Sequence, residues 1–141
     1  MVFLPPFAFD SGDRPVEPRD LFRRGVELFQ AGEYFEAHEV WEELWREASG
    51  EARAFYKGLI QLAVALLHAE RGNRSGSERL YHSARRLLEP YRPAYGGYDL
   101  DTLLRESEPW LQSCWAAGGQ PAGGIGGRRP RFPPVAEAGG P

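Results

Sequence analysis

The chain has 141 residues and a formal net charge of −3, with 42% hydrophobic and 26% charged residues. That length fits one domain of an ordinary soluble protein, and the negative balance leaves nothing to offset a phosphate backbone, so no nucleic acid partner is expected. The single cysteine, Cys114, excludes an internal disulfide, and no apolar run reaches the ~18–20 residues that span a bilayer, so we expect neither a stapled secreted scaffold nor a membrane protein, and a cytoplasmic location follows by default.

Met1–Phe9 is apolar but has no basic n-region, carries Pro5-Pro6 and runs straight into Asp10, which makes a poor signal peptide. Residues 1–17 read as a leader with little regular structure, its Phe3, Phe7 and Phe9 available to fold back onto the domain. Pro18 suits the first turn of a helix. Arg19–Ala31 then places Leu21, Phe22, Val26, Leu28 and Phe29 at mostly helical spacing, and Gly32 ends that helix. Tyr34–Ala48 forms a second helix, closed by Ser49-Gly50. A third, Ala52–Arg71, is apolar nearly all round and belongs at the centre of a bundle. Gly72-Asn73 breaks it. The fourth, Ser75–Glu89, turns Leu80, Tyr81, Ala84, Leu87 and Leu88 inward, and Pro90 and Pro93 stop it. A loop, AYGGYD, leads to Asp99 or Asp101 as N-cap of a fifth helix, Leu100–Ala116, with Pro109 as a kink point and Cys114 as a small apolar filler. Trp110 and Trp115 on that helix permit a homodimer without requiring one; a monomer fits equally.

No segment alternates with period two, so no strands are expected. Eight of the 17 glycines and five of the 12 prolines fall in Gly118–Pro141, which reads as a disordered tail with a solvated basic cluster, Arg128, Arg129 and Arg131. The fold class is therefore all-α: an antiparallel bundle of about five helices over residues 18–117, built from two stacked hairpins plus a C-terminal helix. A faint repeat supports the stacking. Gly32 and Gly72 lie 40 residues apart, and AGEYFEAHEVWEELWR aligns without gaps on RGNRSGSERLYHSARR, putting Val40 on Leu80 and Trp41 on Tyr81. The first stretch resembles a tetratricopeptide turn at Gly32, Tyr34 and Ala37, with a longer period.

The second helix carries the chemical signal. At about 100° per residue, Glu42 lies roughly 40° from His38 and Trp45 roughly 20° to the other side, with Tyr34 and Trp41 beyond Trp45. His38 and Glu42 thus fall inside an aromatic stripe, whereas Glu36, Glu39, Glu43 and Glu47 lie on the expected solvent face. A carboxylate among rings needs a partner or a cation. The third helix offers one narrow polar strip, Lys57, Gln61 and His68, which an antiparallel pairing can turn toward His38 and Glu42. His82 is the remaining histidine, beside Arg85 and Arg86.

His38-Glu39-Val40-Trp41-Glu42-Glu43-Leu44-Trp45 matches H-x-x-x-E-x-x-[WY], and YFEAHE, GLIQLAVALLH, GNRSG and YGGYDLDTLL look similar to the same family, the domain of unknown function 309. The resemblance covers about Arg19–Trp110. It implies a small helical bundle and suggests that His38 and Glu42, with Trp45 beside them, bind a metal; His68 falls where that family often has a polar residue.

Two readings stay open. One is a helical interaction or scaffold module with a protein partner, in which His38 and Glu42 fix helix packing and Tyr34, Trp41, Trp45, Lys57 and Gln61 line an aromatic pocket. The other is a metal-binding protein or metal-dependent hydrolase, with His38, Glu42 and His68 holding Zn²⁺, Mn²⁺ or Fe²⁺ and a water at an open position.

Overall fold

In a computed structural model of the chain, residues 16–122 and 127–138 are described. The expected fold-back of Phe3, Phe7 and Phe9 lies outside the described residues. Four helices follow one another with short turns: α1 (Pro18–Gln30), α2 (Tyr34–Glu47), α3 (Gly50–Glu70) and α4 (Arg74–Leu88). A 3-10 turn, Glu89–Tyr91, leads through a cis Arg92–Pro93 bond to two short strands, β1 (Ala94–Tyr95) and β2 (Tyr98–Asp99). Then come α5 (Leu100–Ala117) and a single-turn α6 (Val135–Ala138). The all-α bundle holds. The longest of these helices is not apolar enough to cross a membrane, and none of the described residues forms one that is.

Each boundary has a local cause. Pro18 opens α1. Asn73 caps α4 by accepting from the Gly76 N–H at 3.0 Å, and Asp99 caps α5 by accepting from the Thr102 N–H at 2.9 Å. Two turns end in the left-handed region, at Gly32 (φ 80°) and Gly72 (φ 87°), where L side chains are strained. The 40-residue repeat is visible in the hydrogen bonds of those turns. Glu33 N–H donates to the Leu28 carbonyl at 2.9 Å, and Asn73 N–H to the His68 carbonyl at 2.8 Å. α5 runs through Pro109 as one helix, the proline lying in its interior.

α3 is the central helix, packed between α2 and α4 and touched by α5. It contributes Phe55, Leu59, Leu62, Ala63, Ala65, Leu66 and Ala69 to the core. The fully buried Trp41 crosses from α2 to α1 and donates from Nε1 to the Phe22 carbonyl at 3.3 Å. It fits because Gly25 is opposite: a Cβ there would collide with the indole. Its repeat counterpart Tyr81 is also buried.

Three expectations are corrected. The AYGGYD loop is a small antiparallel hairpin, Ala94 opposite Asp99 and Tyr95 opposite Tyr98, too short for any period to show in sequence. The Gly/Pro-rich tail is not disordered over residues 127–138. Phe132 is fully buried beside Phe22 and Tyr98, and Pro130 and Pro133 are buried with it. Nor is the basic cluster merely solvated: Arg129 pairs with Glu70, and Arg128 and Arg131 with Glu106. Composition misled because one aromatic anchor and its ion pairs hold a segment that has no periodicity of its own.

Candidate functional site

The H-x-x-x-E-x-x-W stripe lies along one edge of α2. The buried face of that helix is Tyr34, Ala37, Val40, Trp41 and Leu44; His38, Glu42 and Trp45 sit half-buried at its margin, and Phe35 is 46% exposed. The expected greasy recess around His38 and Glu42 is therefore not what the helix builds. His38 turns its Nδ1 onto the Phe35 carbonyl one turn back, its ring edge-on to Phe35 at 5.0 Å between centroids. Glu42 faces Arg46 at 3.7 Å, a solvent-screened pair one turn on. Trp45 carries the Arg53 guanidinium 3.9 Å above its ring, and Arg53 donates to the Trp45 carbonyl at 2.9 Å. That places a cation at the C-terminal end of α2, where the last carbonyls lack helical partners.

The polar strip of α3 is dispersed as well. Lys57 is exposed. Gln61 is half-buried, its Oε1 enclosed and without a hydrogen-bond partner among the described residues. His68 lies 3.4 Å from the Asn73 amide in the α3–α4 turn. Among the described residues no group of three His, Cys, Asp or Glu side chains is placed to hold a metal ion. The donor set His38, Glu42 and His68 thus does not fit a Zn²⁺, Mn²⁺ or Fe²⁺ centre, which needs three or more protein ligands around one point. Sequence periodicity orients residues within one helix; it had no means of placing α3's side chains against His38 and Glu42.

Tyr34 belongs to another cluster. Burial, then the nearby Glu70 carboxylate, pushes its phenol well above the ordinary tyrosine range. The same Glu70 accepts from Trp110 Nε1 at 2.9 Å and from two nitrogens of Arg129, at 2.9 and 2.7 Å. Cys114 is buried nearby, its thiol pushed up to about 11 by burial first and Glu70 second, so it stays an unreactive thiol at neutral pH. Trp110 and Trp115 both make internal hydrogen bonds, the latter to Ser77 at 2.9 Å.

A mostly apolar cleft of about 180 Å³ lies between the start of α1, the first half of α3 and the β-hairpin. Arg19, Phe22, Phe55, Tyr56, Tyr95 and Gly96 line it. Phe55 and Tyr95 are 4.4 Å apart between ring centroids, and Phe22 and Tyr56 5.9 Å. Burial first, then Tyr95, raises the Tyr56 phenol above its ordinary range. Sequence reasoning missed this cleft. Arg19 and Tyr56 carry no motif, and Tyr95-Gly96 read only as a loop.

A sequence model of the domain of unknown function family DUF309 matches residues 22–80. Over that stretch the chain is similar to the DUF309 domain. The match takes in α1 from Phe22 through the first half of α4, and with it the whole H-x-x-x-E-x-x-W stripe. An uncharacterized protein of Bacillus subtilis (strain 168), YpuF, is 40% identical over 77 residues. That stretch is 54% of this chain and 44% of YpuF, so the chain spans less than half the length of this relative. The β-hairpin, α5 and the returning C-terminal segment lie beyond the DUF309 match.

Proposed function

We propose that this protein is a helical interaction module, and that the cleft beside Arg19 receives an aromatic side chain of a protein partner with an acidic residue next to it. The observation that carries this reading is the cleft itself: four rings enclose about 180 Å³, room for one large side chain, and a guanidinium stands on the lining. Apolar walls with a few convergent polar groups are the usual form of a recognition pocket, and aromatic anchors in such pockets dominate interface energies. Among the described residues no ion pair engages Arg19, which leaves its charge for an acidic neighbour of the anchor. A reducing compartment such as the cytoplasm suits a chain whose one cysteine is a buried free thiol.

The test is an array of twelve-residue peptides with a central Phe, Tyr, Trp or Ala, flanked by Asp or by Lys. Asp-flanked aromatic peptides should bind, and Arg19→Glu should reverse the flank preference. Equal binding of Ala-centred peptides, or an Arg19→Glu protein with unchanged preference, would overturn it.

A further inference from the structure

Residues 128–134, Arg-Arg-Pro-Arg-Phe-Pro-Pro, lie on the helical domain as a ligand peptide lies in a groove. The main chain is held along its length. Arg131 N–H donates to Glu106 Oε1 and Phe132 N–H to Gln30 Oε1, both at 3.0 Å. The Pro133 carbonyl accepts from Asp99 N–H at 2.8 Å, Pro134 bridges Tyr98, and Val135 N–H donates to the Gly97 carbonyl at 2.9 Å. The segment thus adds to the exposed edge of β2, a recurring mode of peptide capture. Its side chains supply specificity. Phe132 fills an enclosed slot, Arg129 grips Glu70 with two parallel bonds, and Arg131 does the same on Glu106, Nε to Oε1 and Nη2 to Oε2. Gly32 leaves room for the Arg129 guanidinium, which a Cβ would strike.

The groove is assembled from distant parts of the chain: Phe22, Gln30, Gly32 and Glu70 fall inside the DUF309 match, whereas Gly97, Tyr98, Asp99 and Glu106, like residues 128–134 themselves, lie outside it. Between α5 and this segment the sequence reads GGQPAGGIGG, a glycine-rich join with no apolar period. A ligand tethered this way occupies its site by effective concentration and yields to a free competitor only when its own contacts weaken.

We propose that this groove is a peptide-recognition site, that residues 128–134 are its occupant in cis, and that its partner in trans is a protein segment of the same chemistry: arginines on either side of a proline, then an aromatic residue, then proline. The site prefers basic ligands, opposite in charge to those expected at the Arg19 cleft, so the two readings stand or fall apart.

The probe is a fluorescein-labelled peptide, GRRPRFPPVA, titrated into the full chain and followed by anisotropy. Wild type should bind it weakly. A full-length Arg129→Ala/Arg131→Ala protein keeps Glu70, Glu106 and Gln30 but weakens the cis contacts, and should bind the peptide at least ten-fold more tightly. The same peptide with its Phe replaced by Ala should lose that gain. Far-UV circular dichroism checks folding; if the double variant is unfolded, Arg131→Ala alone, with its exposed guanidinium, is read in the same way. Equal affinity for wild type and the folded variant, or binding indifferent to the phenylalanine, would overturn the proposal and leave the segment as a piece of core.

Discussion

Glu70 and Arg129, 59 residues apart, meet through two hydrogen bonds of 2.9 and 2.7 Å, with the Glu70 side chain only 10% exposed. Trp110 donates to the same carboxylate. The last turn of α3, the middle of α5 and the returning segment are thereby fixed to one another through a single acid. Glu70→Gln keeps the size but removes the charge that Arg129 and Trp110 share. We expect a loss of stability of about 1–3 kcal/mol, measured by urea unfolding, with Trp110 fluorescence changing in the native state.

Phe132 should behave as a core residue despite its place in a Gly/Pro-rich stretch. It is fully buried against Phe22 and Tyr98. Phe132→Ala should cost about 3–5 kcal/mol in chemical denaturation, the scale of a large-to-small core change. A cost below about 0.5 kcal/mol, the surface range, would mean that the segment does not pack.

Gly25 faces the Trp41 indole so closely that a methyl group cannot be placed there without displacing the ring. Gly25→Ala should therefore destabilise by about 1–3 kcal/mol, although alanine is the better helix former by about 1 kcal/mol. Thermal unfolding decides which effect wins.

The Glu106 clamp gives a pH dependence of known sign. Hydrogen bonding from Arg131 holds its carboxyl below the usual carboxylate range, outweighing the opposing effect of burial. The unfolded chain therefore binds this proton at higher pH than the folded one. The clamp's stabilisation is complete above the ordinary glutamate value and is lost as pH falls through the depressed folded value. Between about pH 5 and pH 3, wild type should lose more stability than Glu106→Gln. Parallel curves for the two proteins would contradict this.

His38 and Glu42 should act as helix-surface groups. His38→Ala removes its bond to the Phe35 carbonyl and should lower stability by about 0.5–1.5 kcal/mol. Titration with Zn²⁺ or Mn²⁺ should leave the melting temperature of wild type where it is. A large metal-induced rise, lost in His38→Ala, would bring the metal reading back.

The sequence by itself determined the helices, their order and their turns. Hydrophobic spacing near 3.6 residues, Gly32 and Gly72 at the breaks, and the Asp99 cap act over a few residues, so each is legible where it stands. The 40-residue repeat was legible for the same reason, because both turns use the same local device. Tertiary structure alone decided the rest. Whether Lys57, Gln61 and His68 meet His38 and Glu42 depends on the rotation of two helices about their axes, which no local signal encodes. Whether a proline-rich tail packs depends on Glu70 and Glu106 standing ready for arginines decades of residues away. Such pairings are set by the balance of burial and charge across the whole fold, and that balance exists only once the chain has closed on itself.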